Sequence, residues 1–145
     1  MSTIGSTKPV PIPDEQSAPF FEGAKRNELM IRRCTACGHA MWPASHSGAL
    51  PLSPRCHACF SPDLEWVAAS GAATLYSFTV VHQPYPGFED DVPYNVALVE
   101  LAEGPRLLSA IVECDNADLR VGMPLEVVFE QWTDDVTLPK FRSAA

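Results

Sequence analysis

Four of the five cysteines fall in one short stretch and form two Cys-x-x-Cys pairs. Cys34 and Cys37 make the first pair, Cys56 and Cys59 make the second, and 18 residues lie between the pairs. Each Cys-x-x-Cys turn presents two thiolates to one ion, and two turns supply the four corners of a tetrahedron. The spacing predicts a metal site with one zinc ion. Because protein fills all four positions, we expect that site to be structural and not catalytic.

Three other uses of these cysteines, namely an iron site, disulfides and a redox pair, agree with the sequence to different degrees. Iron in a rubredoxin-like site takes the same ligands, so the sequence leaves zinc and iron open. A disulfide is disfavoured, because the N-terminus lacks the apolar segment of a signal peptide and we expect a cytoplasmic protein. A thioredoxin-like redox pair needs a βαβ unit, which the pattern does not show. His39 and His57 could replace a ligand, but beside four cysteines we expect them to be solvated.

The segments that position the cysteines are mostly strands. Residues 1–16 contain three prolines and no periodicity, which predicts a flexible tail. Residues 17–66 combine a short helix, with Ser17 placed to cap it, and the zinc ribbon. In residues 67–145, short apolar strands alternate with turn residues, as in a five-stranded oligonucleotide/oligosaccharide-binding (OB) barrel with a C-terminal tail. We therefore expect a mainly β chain with an N-terminal short helix plus rubredoxin-like zinc ribbon, followed by a C-terminal OB-fold β-barrel.

The strand "ATLYSFTVVHQ" shows the alternation that supports this prediction. Tyr76, Phe78 and Val80 are expected to share one face, and Ser77 and Thr79 the other.

The charge is distributed unevenly and bears on the partners. The net charge is −8. Residues 24–66 carry five basic and three acidic side chains, whereas residues 67–145 carry four basic and twelve acidic ones. An acidic body repels nucleic-acid phosphates. The sequence also holds no apolar run of the length that a membrane span needs. We expect neither a nucleic acid nor a membrane as partner.

Catalytic groups are sparse in this chain. Cys114 follows a predicted strand and is expected to be a buried, inert thiol. His82 ends a strand at the barrel rim, and the acidic run Glu89–Asp91 is expected to be a solvated loop. Tyr85 and Phe88 lie in the same loop, where exposed aromatic side chains would suit an interface. We predict no catalytic residues in the chain itself.

Several longer segments together resemble one family. They are "APFFEG", "SGAATLYSFTVVH", "VPYNVALVELAEGPRLL", "VGMPLEVVFE" and "LPKFR", and with the cysteine pairs they cover about residues 17–142. The chain is similar to the acyl-CoA-associated zinc-ribbon/OB-fold proteins, known as domain of unknown function 35. It differs in its long spacer, where "SHSGALPLS" looks like an insertion that could contact a particular partner.

The resemblance implies a function. Such proteins are non-catalytic and usually accompany thiolase-like acyl-CoA enzymes, thiolases or retro-aldol lyases, or else hydratases that act on acyl-CoA. The pathways are the degradation of aromatic, steroid or fatty acyl-CoA. The OB barrel would dock on the thiolase-like subunit and help to bind the CoA thioester. The residues expected to contact CoA or the partner are Lys140, Arg142, His82, Tyr94 and Phe88. Two alternatives stay open, namely a nucleic-acid-binding ribbon/OB module and a stand-alone acyl-CoA enzyme that uses Cys114 or His82.

Overall fold

The computed structural model describes residues 8–43 and 54–144. In these ranges one helix, α1 (Ala18–Lys25), precedes eight strands, and a single 3-10 turn (Asn116–Asp118) lies between the sixth and seventh strands. The strands are β1 (Met30–Cys34), β2 (Ala40–Met41), β3 (Leu64–Ala68), β4 (Ala72–Val81), β5 (Tyr94–Leu101), β6 (Arg106–Ser109), β7 (Pro124–Gln131) and β8 (Thr137–Ser143). No helix in the described ranges has the length and apolar character that a membrane crossing requires. The spacer "SHSGALPLS" and residues 1–7 lie outside the described residues.

Helix α1 begins after a turn that Asp14 organises. The Asp14 carboxylate accepts the backbone N–H of Ser17 at 2.8 Å and the Ser17 hydroxyl at 2.9 Å. Ser17 already has near-helical angles, φ −93° and ψ −8°, and its side chain makes no cap hydrogen bond. Ser17 therefore holds the expected N-cap position, but its hydroxyl bonds to Asp14 and makes no cap hydrogen bond to the helix. Pro19 lies in the first turn, where its missing N–H costs nothing.

The first sheet belongs to the ribbon and has the order β2-β1-β3, with both pairs antiparallel. Strand β1 is its centre and ends at Cys34, so the sheet holds the start of the first cysteine pair. In the register, Ile31 lies opposite Val67 and Cys34 opposite Leu64.

The second sheet has the order β6-β5-β4-β7-β8, again antiparallel throughout. The two edges of this sheet meet where Ile111, just after β6, forms a parallel bridge with Phe141 of β8. At that seam, the N–H of Val112 donates to the Phe141 carbonyl at 2.8 Å, and the N–H of Phe141 donates to the Ala110 carbonyl at 3.1 Å. Closure of five strands in this order is the OB arrangement. The predicted fold, a short helix, a zinc ribbon and an OB barrel in a mainly β chain, is confirmed.

A bulge in β4 changes the predicted alternation. The pairing with β5 shifts register between Leu75 and Ser77. Leu75 is buried and Tyr76 is 45% exposed, while Phe78 is half-buried farther along the strand. The expectation that Tyr76 shares a face with Phe78 is wrong, because the inserted residue interrupts the two-residue period.

One buried cluster joins the ribbon to the barrel. Leu29 and Ile31 of the ribbon lie in the same cluster as barrel side chains such as Leu75 and Phe141. Phe20 of α1 packs against this cluster and meets Trp42 edge-to-face, with ring centroids 5.2 Å apart. The shared core fixes the position of the ribbon relative to the barrel. The predicted boundary between residues 66 and 67 thus crosses a continuous core, and it stays a prediction.

Candidate metal centre

Two tight turns present the four cysteines. In the first, the Gly38 N–H donates to the Cys34 carbonyl at 2.9 Å, and the Cys34 N–H donates to the His39 carbonyl at 2.9 Å. In the second, the Phe60 N–H donates to the Cys56 carbonyl at 3.0 Å. Each turn therefore closes on itself four residues after its first cysteine.

The residue that closes each turn has a left-handed backbone. Gly38 has φ +81°, which suits glycine. Phe60 occupies the equivalent place with φ +65°, although its side chain is 70% exposed. A β-carbon is disfavoured at such an angle. Nothing in "CHACF" marks an aromatic residue for that conformation, so the sequence offered no signal for Phe60.

The four sulfurs converge. All four Sγ atoms lie within 4.8 Å of one another. The Cys34 and Cys59 sulfurs are 3.6 Å apart, as are those of Cys37 and Cys56. A zinc ion with bonds of about 2.3 Å places its tetrahedral sulfurs about 3.8 Å apart. Those separations exceed an S–S bond of about 2.05 Å, and all five cysteines of the chain are free thiols.

The electrostatics of the cluster fit a cation at its centre. Burial raises the pKa of Cys56, but N–H groups of Cys59 and Ala58 outweigh it and lower the pKa to about 7. The His39 N–H lowers the pKa of Cys37, yet burial and the neighbouring sulfurs raise it to about 12. The neighbouring sulfurs therefore favour ionisation of Cys56 and oppose that of Cys37, so the four thiols do not all ionise together. A bound divalent cation removes that conflict, as tetrahedral zinc sites of four cysteines do.

The side chains around the cluster are solvated or already engaged. His39 and His57 are exposed, which agrees with the expectation that they are not needed as ligands. Arg33 forms an ion pair with Glu65 at 2.9 Å. Arg55 donates to the carbonyl of Phe60 at 2.9 Å and so helps to hold the second turn.

The residues predicted to contact CoA or a partner fall into two places. Phe88 lies in the middle of the loop between β4 and β5, Tyr94 begins β5, and their rings pack together with centroids 5.5 Å apart. His82 is exposed at the start of that loop. Lys140 and Arg142 lie on β8, opposite Val128 and Glu126 of β7 respectively.

These two places are connected by Lys8. Its ammonium lies 2.5 Å from the Asp91 carboxylate and 5.2 Å from the centroid of the Phe88 ring. It is also close enough to Lys140 for its charge to lower the pKa of that amine. No sequence pattern marks Lys8, since it lies in a segment without periodicity.

Arg142 is held by two carboxylates. Its Nε lies 2.8 Å from Glu126 and its Nη1 lies 3.5 Å from Glu113. Both contacts raise the pKa of Arg142, that of Glu126 more strongly. A phosphate would have to compete with these carboxylates for Arg142.

The possible catalytic groups do not converge. The Cys114 thiol is half-buried, and its one hydrogen bond, at 3.5 Å, goes to the carbonyl of Asp115. Among the described residues, no hydrogen bond or ion pair joins it to a histidine. In the acidic loop, Glu89 accepts the Gly87 N–H at 2.6 Å and Asp91 pairs with Lys8.

Sequence comparison identifies both halves of the fold. Residues 21–47 match the family model "ChsH2, rubredoxin-like zinc ribbon domain", and residues 66–130 match "ChsH2, C-terminal OB-fold domain". A "DUF35 domain-containing scaffold protein" of Methanocaldococcus jannaschii is 33% identical over 103 residues, which are 71% of this chain and 68% of that protein.

A longer relative contains a similar segment. The "Probable enoyl-CoA hydratase alpha subunit" of Thermomonospora curvata is 38% identical over 138 residues, which are 94% of this chain. This chain spans 40% of the length of that relative.

A solved structure matches over its full length. A chain of the structure called "Ltp2-ChsH2(DUF35) aldolase" superposes with a TM-score of 0.77 and 37% identity, over 94% of this chain and 100% of that one. With the ribbon, the closed barrel and these relatives in agreement, the chain belongs to the DUF35 family of zinc-ribbon/OB-fold proteins.

Proposed function

We propose that this chain is a non-catalytic accessory subunit of a thiolase-like enzyme that acts on acyl-CoA thioesters. The observation that carries the proposal is the end-to-end similarity to a chain of the Ltp2-ChsH2(DUF35) aldolase. The relative named as an enoyl-CoA hydratase alpha subunit supports the same class of substrate. In this proposal the partner supplies the catalytic groups, and the complex acts in the cytoplasm.

The metal has a structural role in the proposal. Cys34, Cys37, Cys56 and Cys59 would hold one zinc ion and leave no position for water or substrate. Zinc would cross-link the two turns. In small zinc modules, metal binding contributes on the order of 10 kcal/mol to the folding free energy. Since Cys34 ends β1, that cross-link would secure the ribbon on the shared core.

The docking surface is proposed to include the loop between β4 and β5. Within it, Phe88 and Tyr94 support each other, and Lys8 clamps the loop through Asp91. Tyr85 is 54% exposed on the same loop. Rigidly held loops with an exposed aromatic residue suit interface anchors. His82 and Lys140 would lie at the edge of this surface and contact the CoA thioester.

Co-purification tests the proposal. The chain should be co-expressed with a thiolase-like protein from the same gene neighbourhood and analysed by size-exclusion chromatography. We expect one peak with both chains, and acyl-CoA turnover that depends on the presence of this chain. Separate elution together with unchanged turnover would refute the proposal.

Two exposed tyrosines provide a matched comparison for the docking surface. Tyr85→Ala removes an aromatic side chain from the loop and should weaken co-elution. Tyr76→Ala removes one of similar exposure, 45%, from the outer face of β4 and should leave co-elution unchanged. If Tyr76→Ala weakens co-elution and Tyr85→Ala does not, the assignment of the docking surface to the loop is contradicted.

A further inference from the structure

Lys140 has an unusual environment for a lysine. It lies in the middle of β8 and is half-buried. Its Nζ lies over the Trp132 ring, 5.3 Å from the centroid. In the described part of the chain, this Nζ makes no hydrogen bond and no ion pair. An ammonium withdrawn from water without an anionic partner shifts toward the neutral amine.

Two charged groups on neighbouring elements act on Lys140. Burial lowers its pKa most, the Glu130 carboxylate raises it, and the ammonium of Lys8 lowers it, so the pKa lies below the ordinary value. Glu130 accepts the indole N–H of Trp132 at 2.5 Å. The Glu130 carboxylate thus accepts from the tryptophan and, among the described residues, forms no ion pair with Lys140.

The other two lysines of the chain have different surroundings. Lys8 forms the ion pair with Asp91 at 2.5 Å. Lys25 is exposed in the last turn of α1, where the helix carbonyls favour a positive charge. Lys140 therefore differs from both in the groups that surround its nitrogen.

We propose that Lys140 is a site of N-acylation by acyl thioesters. The neutral Nζ attacks the thioester carbonyl carbon, a C–N bond forms and the C–S bond breaks. The thiolate leaves and takes up a proton, the nitrogen loses one, and the products are an amide and a free thiol. The reaction needs only the thioester as co-reactant. The inference deepens the proposed function, since acyl-CoA is the ligand class named there.

Acylation would alter the surface around Trp132. The amide is neutral, so the cation–π contact with the indole ring is lost. Because Lys140 is itself proposed to contact CoA, the acyl group on its nitrogen would occupy part of that contact.

The test uses the full chain alone, without a partner. It is incubated near neutral pH with S-acetyl-N-acetylcysteamine, a small thioester, and separately with acetyl-CoA, and acetylation is followed by peptide mass spectrometry. We expect Lys140 to react several-fold faster than Lys25 with both thioesters. If Lys25 keeps pace with Lys140, the proposal is overturned. A preference seen with acetyl-CoA alone also overturns it, because that would report nucleotide docking and not an activated amine.

The pH profile and the unfolded chain separate amine activation from simple access. The ratio of Lys140 to Lys25 acetylation should fall as the pH rises, because the advantage of an amine that is already partly neutral shrinks in alkaline solution. A ratio independent of pH contradicts the proposal. In guanidinium the preference should vanish, and a preference that persists there would assign it to local sequence. Lys140→Arg should remove the fast-forming adduct. None of these outcomes depends on whether a thiolase-like partner co-elutes.

Discussion

The Asn95 side chain pairs with the backbone of Ile111 through both ends of its amide. Its oxygen accepts the Ile111 N–H at 2.7 Å, and its nitrogen donates to the Ile111 carbonyl at 2.9 Å. Asn95 is the one buried polar residue among those described. Because Ile111 also bridges Phe141 at the barrel seam, the amide takes the place of a strand partner where the sheet closes.

Asn95→Ala should destabilise the chain. The change leaves the buried N–H and carbonyl of Ile111 without partners, which we expect to cost about 2–4 kcal/mol of unfolding free energy. Urea denaturation followed by circular dichroism measures it. Ser77→Ala, on the exposed side of β4, is the control and should change stability little. A loss for Asn95→Ala no larger than that of the control would show that the seam does not depend on this amide.

The metal prediction distinguishes four cysteines from the fifth. We expect about one zinc per chain by elemental analysis, since the four sulfurs form a single tetrahedral set. Cys34→Ser or Cys59→Ser should lose the metal and unfold the ribbon, and a chelator should do the same to the original chain.

Cys114→Ser is the matched control for these substitutions, because Cys114 lies apart from the cluster and, among the described residues, hydrogen-bonds only to Asp115. It should keep both zinc and stability. Iron in place of zinc in the purified protein would contradict the assignment of the metal.

Gly71 and Gly122 share a backbone angle but not their surroundings. Their φ values are +88° and +90°. A β-carbon on Gly71 would lie 2.7 Å from Val127 Cγ1, whereas no atom of a described residue outside the neighbouring backbone lies within 4 Å of one on Gly122. Both substitutions by Ala carry the cost of the angle, about 1–2 kcal/mol. Gly71→Ala should cost about 1–3 kcal/mol more, because Val127 is stiff. Equal midpoints in urea would refute the close approach.

Phe60 offers a test of strain in the second cysteine turn. Phe60→Gly should raise the unfolding free energy by about 1 kcal/mol, because glycine adopts the left-handed angle without penalty. Phe60→Ala keeps the strained angle and should bring no gain. Thermal unfolding of the zinc-loaded proteins measures both. If Phe60→Gly is less stable than Phe60→Ala, the left-handed angle does not strain this turn.

The spacing of Cys34, Cys37, Cys56 and Cys59 determined the ribbon in the sequence, and the alternation of short strands determined the barrel. The spacing within each cysteine pair and the alternation within each strand involve residues close together in the chain, so they depend on local geometry alone. Asn95 could have been noticed too, as a polar residue in the inward phase of an apolar strand.

The tertiary structure decided which distant residues meet. The bond between Asn95 and Ile111, the clamp of Lys8 on Asp91 and the burial of Lys140 beside Trp132 join segments whose distance apart depends on strand register and barrel closure. A residue's period along its own strand carries no information about its partner on another strand. For that reason the sequence predicted the metal cluster, whereas the surroundings of Lys140 emerged only from the folded chain.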